Sequence, residues 1–494
     1  MNISIVLYTV GNLVLMLAGI LLVPLGVAFY YRDDAAVWAF IYTIIITGVL
    51  GGISKAFLRK KESGIGIRES IAIVTFSWLI CIFLGALPFW YSGVCTTYCD
   101  AVFETTSGFT TTGSSIFKDV EVLPHSILFW RAFTAWLGGM GIIVIFVALL
   151  PAIGVSGYQL FSAEVSGPTA DRLRPRIGET AKLLWYIYLS ITAAMIIALF
   201  CGGMPIFDAI CHTLSTVSTA GFSTKNTSIA YYNSLYIEIA VAIFMFICGC
   251  NFSLYYLCFK KEFKKVLRNS ELRFFAGLVL AAIIFVALNL YFSQPEPFNG
   301  GIKSYYYYDI GNSFRHAFFQ VITACSTTGH ASADFDLWPN ACRFLLILLM
   351  FIGACAGSTG GAIKCVRVLL LLKSSMRELV RVLRPRMVKH IKINGVSVSE
   401  EIIIDSAVFF VVYLGFFGIC SLALMALNTD IVTAFSAVAT CMANCGPGLA
   451  KVGPMANFSD ITYAGKWVLS FCMLLGRLEI YSLILLFLPI TWKR

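Results

Sequence analysis

The chain has 494 residues, 59% of them hydrophobic and only 13% charged, with 36 Lys and Arg against 26 Asp and Glu for a net charge of +10. Soluble domains carry about a quarter charged residues, so this balance excludes a water-soluble domain with a large core and reads as an all-α polytopic membrane protein. The apolar runs are continuous rather than alternating, which argues against a β-barrel. The basic excess does not call for nucleic acid, because most of it falls in loops on one side, at 55–61, 172–182, 260–273, 364–392 and 493–494. That asymmetry is the positive-inside signal. It puts these loops in the cytoplasm, facing anionic headgroups of the lipid bilayer.

In chain order, apolar segments at 3–30 and 37–58, joined by Tyr31-Arg32-Asp33-Asp34, predict a lead-in transmembrane hairpin over 1–66. Its start has no basic stretch and no small-residue cleavage pattern, so it reads as a retained helix. Four units follow, at 67–165, 166–268, 269–390 and 391–494, each expected to hold a spanning helix, a short re-entrant helix, a loop and a second spanning helix. The helices are expected at 71–90, 101–108 and 127–150, then 183–201, 207–214 and 235–259. The third and fourth sets are 274–292, 313–322 and 344–372, then 402–427, 431–439 and 467–488. Ten spans put both termini on one side, which the charge pattern makes cytoplasmic.

The loops carry the repeat. Thr110-Thr111-Thr112-Gly113, Ser218-Thr219-Ala220-Gly221, Ser326-Thr327-Thr328-Gly329 and Ala443-Asn444-Cys445-Gly446 have glycines 108, 108 and 117 residues apart. Twelve residues before each glycine stands an alanine (Ala101, Ala209, Ala317, Ala434), and six before it a hydroxyl (Ser107, Ser215, Thr323, Thr440). Agreement at three registered positions in four units describes a ring folded from one chain. Re-entrant backbone at membrane depth must be buried in protein or line a watery cavity, so the four loops need each other. Short helices that aim their C-terminal ends at the centre favour a cation there, and the glycines let successive carbonyls turn inward. No loop holds Asp, Glu, Lys or Arg. Selection then rests on carbonyls and hydroxyls rather than on a carboxylate ring, which suits a weakly hydrated monovalent cation better than Mg²⁺. Asp119, Glu121, Asp334 and Asp336, just outside, read as plain solvated surface, with a raised local cation concentration as the alternative.

Two features stand below the loops. Residues 344–372 would run about 43 Å as one helix, against a hydrocarbon core of about 30 Å. Gly353, Gly357, Gly360 and Gly361 in its middle, beside Ser358, Thr359 and Lys364, weaken a helix by roughly 1 kcal/mol each. A break with a mobile loop just below the four glycine loops is therefore expected at 354–364. Arg477 lies midway along the last apolar run, where arginine costs roughly 2.5–3.5 kcal/mol to insert. It must face protein or water, with Glu479, pore water or the carbonyls of the broken helix as partners. Glu479, two positions on, points to another face, which favours the carbonyls. The 16 cysteines are scattered through apolar runs and read as packing residues; Cys95 and Cys99, on the outer side, leave a pairing open. Five dispersed histidines (125, 212, 316, 330, 390) argue against a membrane-embedded enzyme.

On these motifs the chain resembles the Trk/Ktr/HKT superfamily of potassium transporters, closest to its TrkH-type members, over nearly its whole length. The resemblance implies a K⁺ filter in which Thr111, Thr112, Thr219, Ala220, Thr327, Thr328, Asn444 and Cys445 present the coordinating groups beside Gly113, Gly221, Gly329 and Gly446. In plant relatives serine in place of the first glycine goes with Na⁺ transport, so Gly113 favours K⁺, while Asn444-Cys445 departs from the threonine-glycine pattern. The resemblance also implies a pore-blocking intramembrane loop touched by the arginine at 477, a homodimer, and a cytosolic TrkA-type nucleotide-binding ring. The basic stretch 373–401 is the docking candidate, or a lipid-facing surface. The location implied is the cytoplasmic (inner) membrane. A Na⁺-permeable or H⁺/Na⁺-coupled K⁺ transporter on the same scaffold is the alternative, with Glu104, His212 and Arg477 as the titratable candidates.

Overall fold

The structure, a computed structural model, describes residues 3–57, 66–141, 177–293, 309–387, 390–478, 480, 483–485 and 489–492. The lead-in helix Ile3–Ile20 continues as Leu22–Tyr31, turns at Arg32 in the left-handed region and returns as Asp34–Phe57. Ile3–Ile20 packs on that return helix and on Ile67–Tyr91, while Leu22–Tyr31 reaches His125–Gly139. The hairpin is thus fastened to the first repeat.

Each repeat is built on an outer, a short and an inner helix. The outer helices are Ile67–Tyr91, Ile177–Cys201, Ser270–Phe292 and Glu400–Ala426. The short helices are Tyr98–Phe109, Ile206–Val217, Ile310–Cys325 and Ile431–Ala443. The inner helices are His125–Gly139, Leu235–Gly249, Asn340–Phe351 and Tyr463–Arg477. Polar side chains start three of the short helices: Thr97, Asp309 and Asp430 each accept a first-turn backbone N–H, which satisfies an otherwise orphaned donor. The registered alanines are all 0% exposed.

Closure comes from the inner helices. Each packs on the short helix of the following repeat, and Tyr463–Arg477 of repeat 4 returns to Tyr98–Phe109 of repeat 1. The ring therefore closes within one chain.

Among the described residues, six helices are long and apolar enough to cross a membrane: the two of the lead-in hairpin and the four outer ones. Their exposed apolar residues, such as Ile404, Val411, Ile419 and Leu422, form the surface expected against lipid. The inner segments are not the continuous spans expected from hydropathy. Three have 15 residues and one has 12, so 15 residues rise about 22 Å and stop short of a full crossing. The expected break at 354–364 is present between Phe351 and Cys365, but repeat 2 breaks as well. The segment expected as one helix over 235–259 bends by 96° between Gly249 and Phe252. In repeat 1 the helix ends at Gly139, and 142–150 lie outside the described residues. In repeat 4 it ends at Arg477, with Glu479 likewise outside them.

The bend in repeat 2 has a tertiary cause. The carbonyl of Gly249 accepts the N–H of Cys355 at 2.9 Å, and the N–H of Phe252 donates to Gly357 at 3.0 Å. The helix gives its backbone groups to the loop of repeat 3, and Asn251 caps the new start by accepting the N–H of Ser253. All 16 cysteines are free thiols, so Cys95 and Cys99 are not bridged.

Candidate functional site

The four short helices end in the same way. In each, the residue two before the registered glycine is left-handed: Thr111 (φ 57°), Thr219 (59°), Thr327 (57°) and Asn444 (53°). Its N–H bonds to a carbonyl three residues back, and the next N–H bonds to the carbonyl of the registered hydroxyl residue five back. The latter bonds are Thr112 to Ser107 (2.8 Å), Ala220 to Ser215 (2.8 Å), Thr328 to Thr323 (2.9 Å) and Cys445 to Thr440 (3.0 Å). This is a helix terminus that normally uses glycine or asparagine at the left-handed position. Three threonines there hold unfavourable backbone, of order 1–3 kcal/mol each, a cost that recurs at functional sites.

The glycines then take positive φ as well: 84° at Gly113, 78° at Gly221, 85° at Gly329 and 97° at Gly446. Alternation of φ sign turns successive carbonyls toward the same side. Around the ring, each glycine abuts the carbonyl preceding the glycine of a neighbouring repeat. A Cβ added at Gly113 would strike the carbonyl oxygen of Ala220, at Gly221 that of Thr328, at Gly329 that of Cys445, and at Gly446 that of Thr112. Four contacts return to their starting point. The carbonyls of Thr112, Ala220, Thr328 and Cys445 thus belong to one closed ring of uncharged backbone.

The loop of repeat 3 lies directly beneath this ring. The hydroxyl of Thr359 is 3.3 Å from the carbonyls of Val217 and Cys248. The N–H of Gly361 donates to Thr327 Oγ1 at 2.9 Å. A Cβ on Gly361 would meet Ala443 and Asn444 of repeat 4. Arg477 supplies the link to repeat 1: Nη1 donates to Thr359 O at 2.9 Å and Thr111 Oγ1 at 3.3 Å, and Nη2 to the carbonyls of Gly138 and Gly139. Within the loop, Lys364 Nζ donates to Gly360 O and Ser358 Oγ to Cys355 O. Gly357, Ser358, Thr359, Gly360, Gly361, Lys364 and Arg477 therefore form one polar cluster against the C-terminal ends of the short helices. A guanidinium held among these carbonyls occupies the electrostatic position that would otherwise suit a mobile cation.

A family model described as TrkH, cation transport protein, matches residues 35–492. The chain belongs to the TrkH family. It is 40% identical over 488 residues to the Trk system potassium uptake protein TrkH of Salmonella typhimurium, covering 98% of each chain. It is 39% identical over 487 residues to the protein of that name from Escherichia coli K12, again covering 98% of each. The crystal structure of the potassium transporter TrkH from Vibrio parahaemolyticus aligns over 100% of both chains with a TM-score of 0.87 and 35% identity.

In this TrkH-family chain the segment leaving the loop is pinned from behind in three of the four repeats, which identity between the repeats does not reveal; in repeat 4 the matching residue is Ala437. Nine residues before the glycine, Glu104 accepts Ser115 Oγ (3.1 Å) and the N–H of Ile116 (2.9 Å). At the same position His212 meets Ser223 Oγ (3.0 Å), and Gln320 donates to Ala333 O (3.0 Å). The residue types differ while the position is constant, so a search for identical residues passes over it.

Charged contacts also seal the seams between repeats. Arg131 pairs with Glu104 at 2.5 Å and reaches Ser223 O of repeat 2 at 2.9 Å. Arg315 pairs with Glu238 at 2.6 Å between repeats 3 and 2, and Lys466 with Asp100 at 2.7 Å between repeats 4 and 1. Asp336 accepts Arg343 at 2.8 Å and the N–H of Ala450 at 3.2 Å, so this acid is a seam residue rather than plain solvated surface. Asp119 is exposed, and its bond from Asn226, then the Glu121 N–H, holds its carboxyl below the usual range, while burial raises that of Asp334. Arg131 was findable by the argument used for Arg477, as a charge inside an apolar run. Arg131→Ala is expected to destabilise the fold by about 3–5 kcal/mol, because it leaves Glu104 buried and unpaired. The check is a lower melting temperature of the detergent-solubilised protein.

Proposed function

We propose that the chain takes up K⁺ across the cytoplasmic membrane through the ring of Thr111-Thr112-Gly113, Thr219-Ala220-Gly221, Thr327-Thr328-Gly329 and Asn444-Cys445-Gly446. The observation that carries this reading is the closed circuit in which each glycine abuts the next repeat's carbonyl. Uncharged carbonyls replace the hydration shell of a monovalent cation without the penalty of stripping a divalent one. The relatives named as potassium uptake proteins supply the choice of ion.

On this reading, residues 354–364 and Arg477 are the shut gate. The plug fills the inner mouth, and the glycines of the loop let it withdraw without breaking a long helix. Residues 365–383 carry Lys373, Arg377 and Arg381 beside exposed Leu372, Met376 and Leu379, a face for the cytosolic partner. That partner is a TrkA-type nucleotide-binding ring, the assembly is a homodimer, and both termini are cytoplasmic.

The test is ⁸⁶Rb⁺ uptake into proteoliposomes containing only this protein, with K⁺ or Na⁺ as competitor. Suppression by K⁺ and little by Na⁺ is the expected result. Equal suppression by both ions would remove the K⁺ reading and leave a non-selective cation pathway.

A further inference from the structure

Glu271 stands in the first turn of the outer helix Ser270–Phe292, 5% exposed, and its carboxylate is turned to the loop of repeat 3. One oxygen, Oε1, accepts two backbone donors: the N–H of Ala356 at 2.7 Å and that of Val366 at 3.2 Å. These two residues bracket the plug, with Gly357, Thr359, Gly360, Gly361 and Lys364 all between them. A single carboxylate oxygen therefore holds both ends of the segment that fills the inner mouth. Burying a carboxylate is costly unless it is hydrogen-bonded, and bonds to an ionised acceptor are about twice as strong as neutral ones. Nothing in the ring itself requires this charge.

The clasp continues to the cytoplasmic side. The N–H of Ser270, adjacent to Glu271, donates to Asn394 Oδ1 at 2.7 Å, and the N–H of Asn394 donates back to Ser270 Oγ at 3.2 Å. Asn394 and Gly395 form the turn of a hairpin, Lys392–Ile393 against Val396–Ser397. Both turn residues have positive φ, 51° and 81°, as a tight two-residue turn requires. Ile391 and Ile393 at its base are buried in one apolar cluster with Ala356 and Val366, the residues the carboxylate holds. The tip is exposed, with Val396 at 70%.

We propose that Glu271 is a positioning residue for the gate, clasping both ends of the loop in its shut place, and that the hairpin 391–398 is the lever by which a load on the cytoplasmic face loosens the clasp. This rests on the reading of 354–364 as a gate.

The experiment measures basal ⁸⁶Rb⁺ uptake by reconstituted full-length variants, normalised to correctly inserted protein. Glu271→Ala is expected to raise uptake about tenfold, the worth of a charge-assisted bond. Glu271→Gln keeps an oxygen acceptor for both N–H groups but not the charge, and is expected to fall between the parent and Glu271→Ala. Val366→Pro removes one donor at a first-turn position that tolerates proline. It is expected to raise uptake severalfold, and decides the matter if Glu271→Ala does not fold. Asn394→Ala, on the surface, is expected to raise uptake in the same direction; parent-level uptake there removes the hairpin from the mechanism. Deletion of Gly357–Gly361 is run alongside. If that deletion raises uptake while Glu271→Ala and Val366→Pro do not, the clasp is overturned and the gate stands. A Glu271→Gln protein as leaky as Glu271→Ala overturns the hydrogen-bond clasp. A deletion without effect overturns the gate itself.

Discussion

Gly113→Ser is expected to lower discrimination between K⁺ and Na⁺ by about tenfold, equivalent to ~1.4 kcal/mol of differential binding. Two independent effects act at this position. The backbone sits at φ 84°, where an L-residue with a Cβ is strained by roughly 1–2 kcal/mol. The added Cβ would also run into the carbonyl oxygen of Ala220, which is itself one of the ring oxygens. Relief of the clash moves that oxygen, and the spacing of the ring changes with it. A serine hydroxyl does not restore the lost geometry, because it points from a different atom. The measurement is the relative permeability of K⁺ and Na⁺ from reversal potentials or from competition against ⁸⁶Rb⁺. An unchanged ratio in a folded Gly113→Ser protein would sink the assignment of this loop to the filter.

The second large effect is expected from removing Gly357–Gly361, which should raise basal flux about tenfold or more, as for release of a mostly shut two-state element. The deletion takes out the hydroxyl of Thr359 between Val217 and Cys248, the N–H of Gly361 on Thr327, and the carbonyl of Thr359 that receives Arg477. Each bond contributes modestly, about 0.5–1.5 kcal/mol, but together they hold the loop against the ends of the short helices of repeats 2 and 3 and against Arg477. Gly353, which bonds Ile363 across the base of the loop, remains. Arg477 keeps its bonds to Gly138 and Gly139, so its charge stays put and the measured change reports the loop. A deletion protein that inserts normally and conducts no faster would place the barrier elsewhere.

The register that aligns the four loops is a property of the amino-acid order, and so is the interruption in repeat 3, where four glycines crowd into one apolar segment. What was not legible is structure imposed from outside a segment. Residues 235–259 are predominantly apolar, and hydropathy alone makes them one helix. The bend arises because Cys355 and Gly357, more than a hundred residues on, take the backbone groups of Gly249 and Phe252. Asn251 was the one local sign, as a residue type that caps helices. The pinning of three of the exit segments was hidden differently. Glu104, His212 and Gln320 share a position but no chemistry, and their common role appears only when each is seen against Ser115, Ser223 and Ala333. The left-handed threonines were also invisible, since propensity would put glycine there. The bonds of the next N–H to the carbonyls of Ser107, Ser215, Thr323 and Thr440 accompany the left-handed turn in every repeat.

Closure of the ring inside one polypeptide fixes its stoichiometry. Tyr463–Arg477 returns to Tyr98–Phe109, and Gly446 abuts Thr112, so no neighbouring copy is needed to complete the wall. Two associated copies would then work in parallel, like two taps on one main. On the proposed reading, silencing one copy would remove its own share of the flux and leave the other's intact. In a channel assembled from four separate subunits, a single defective member spoils the whole wall.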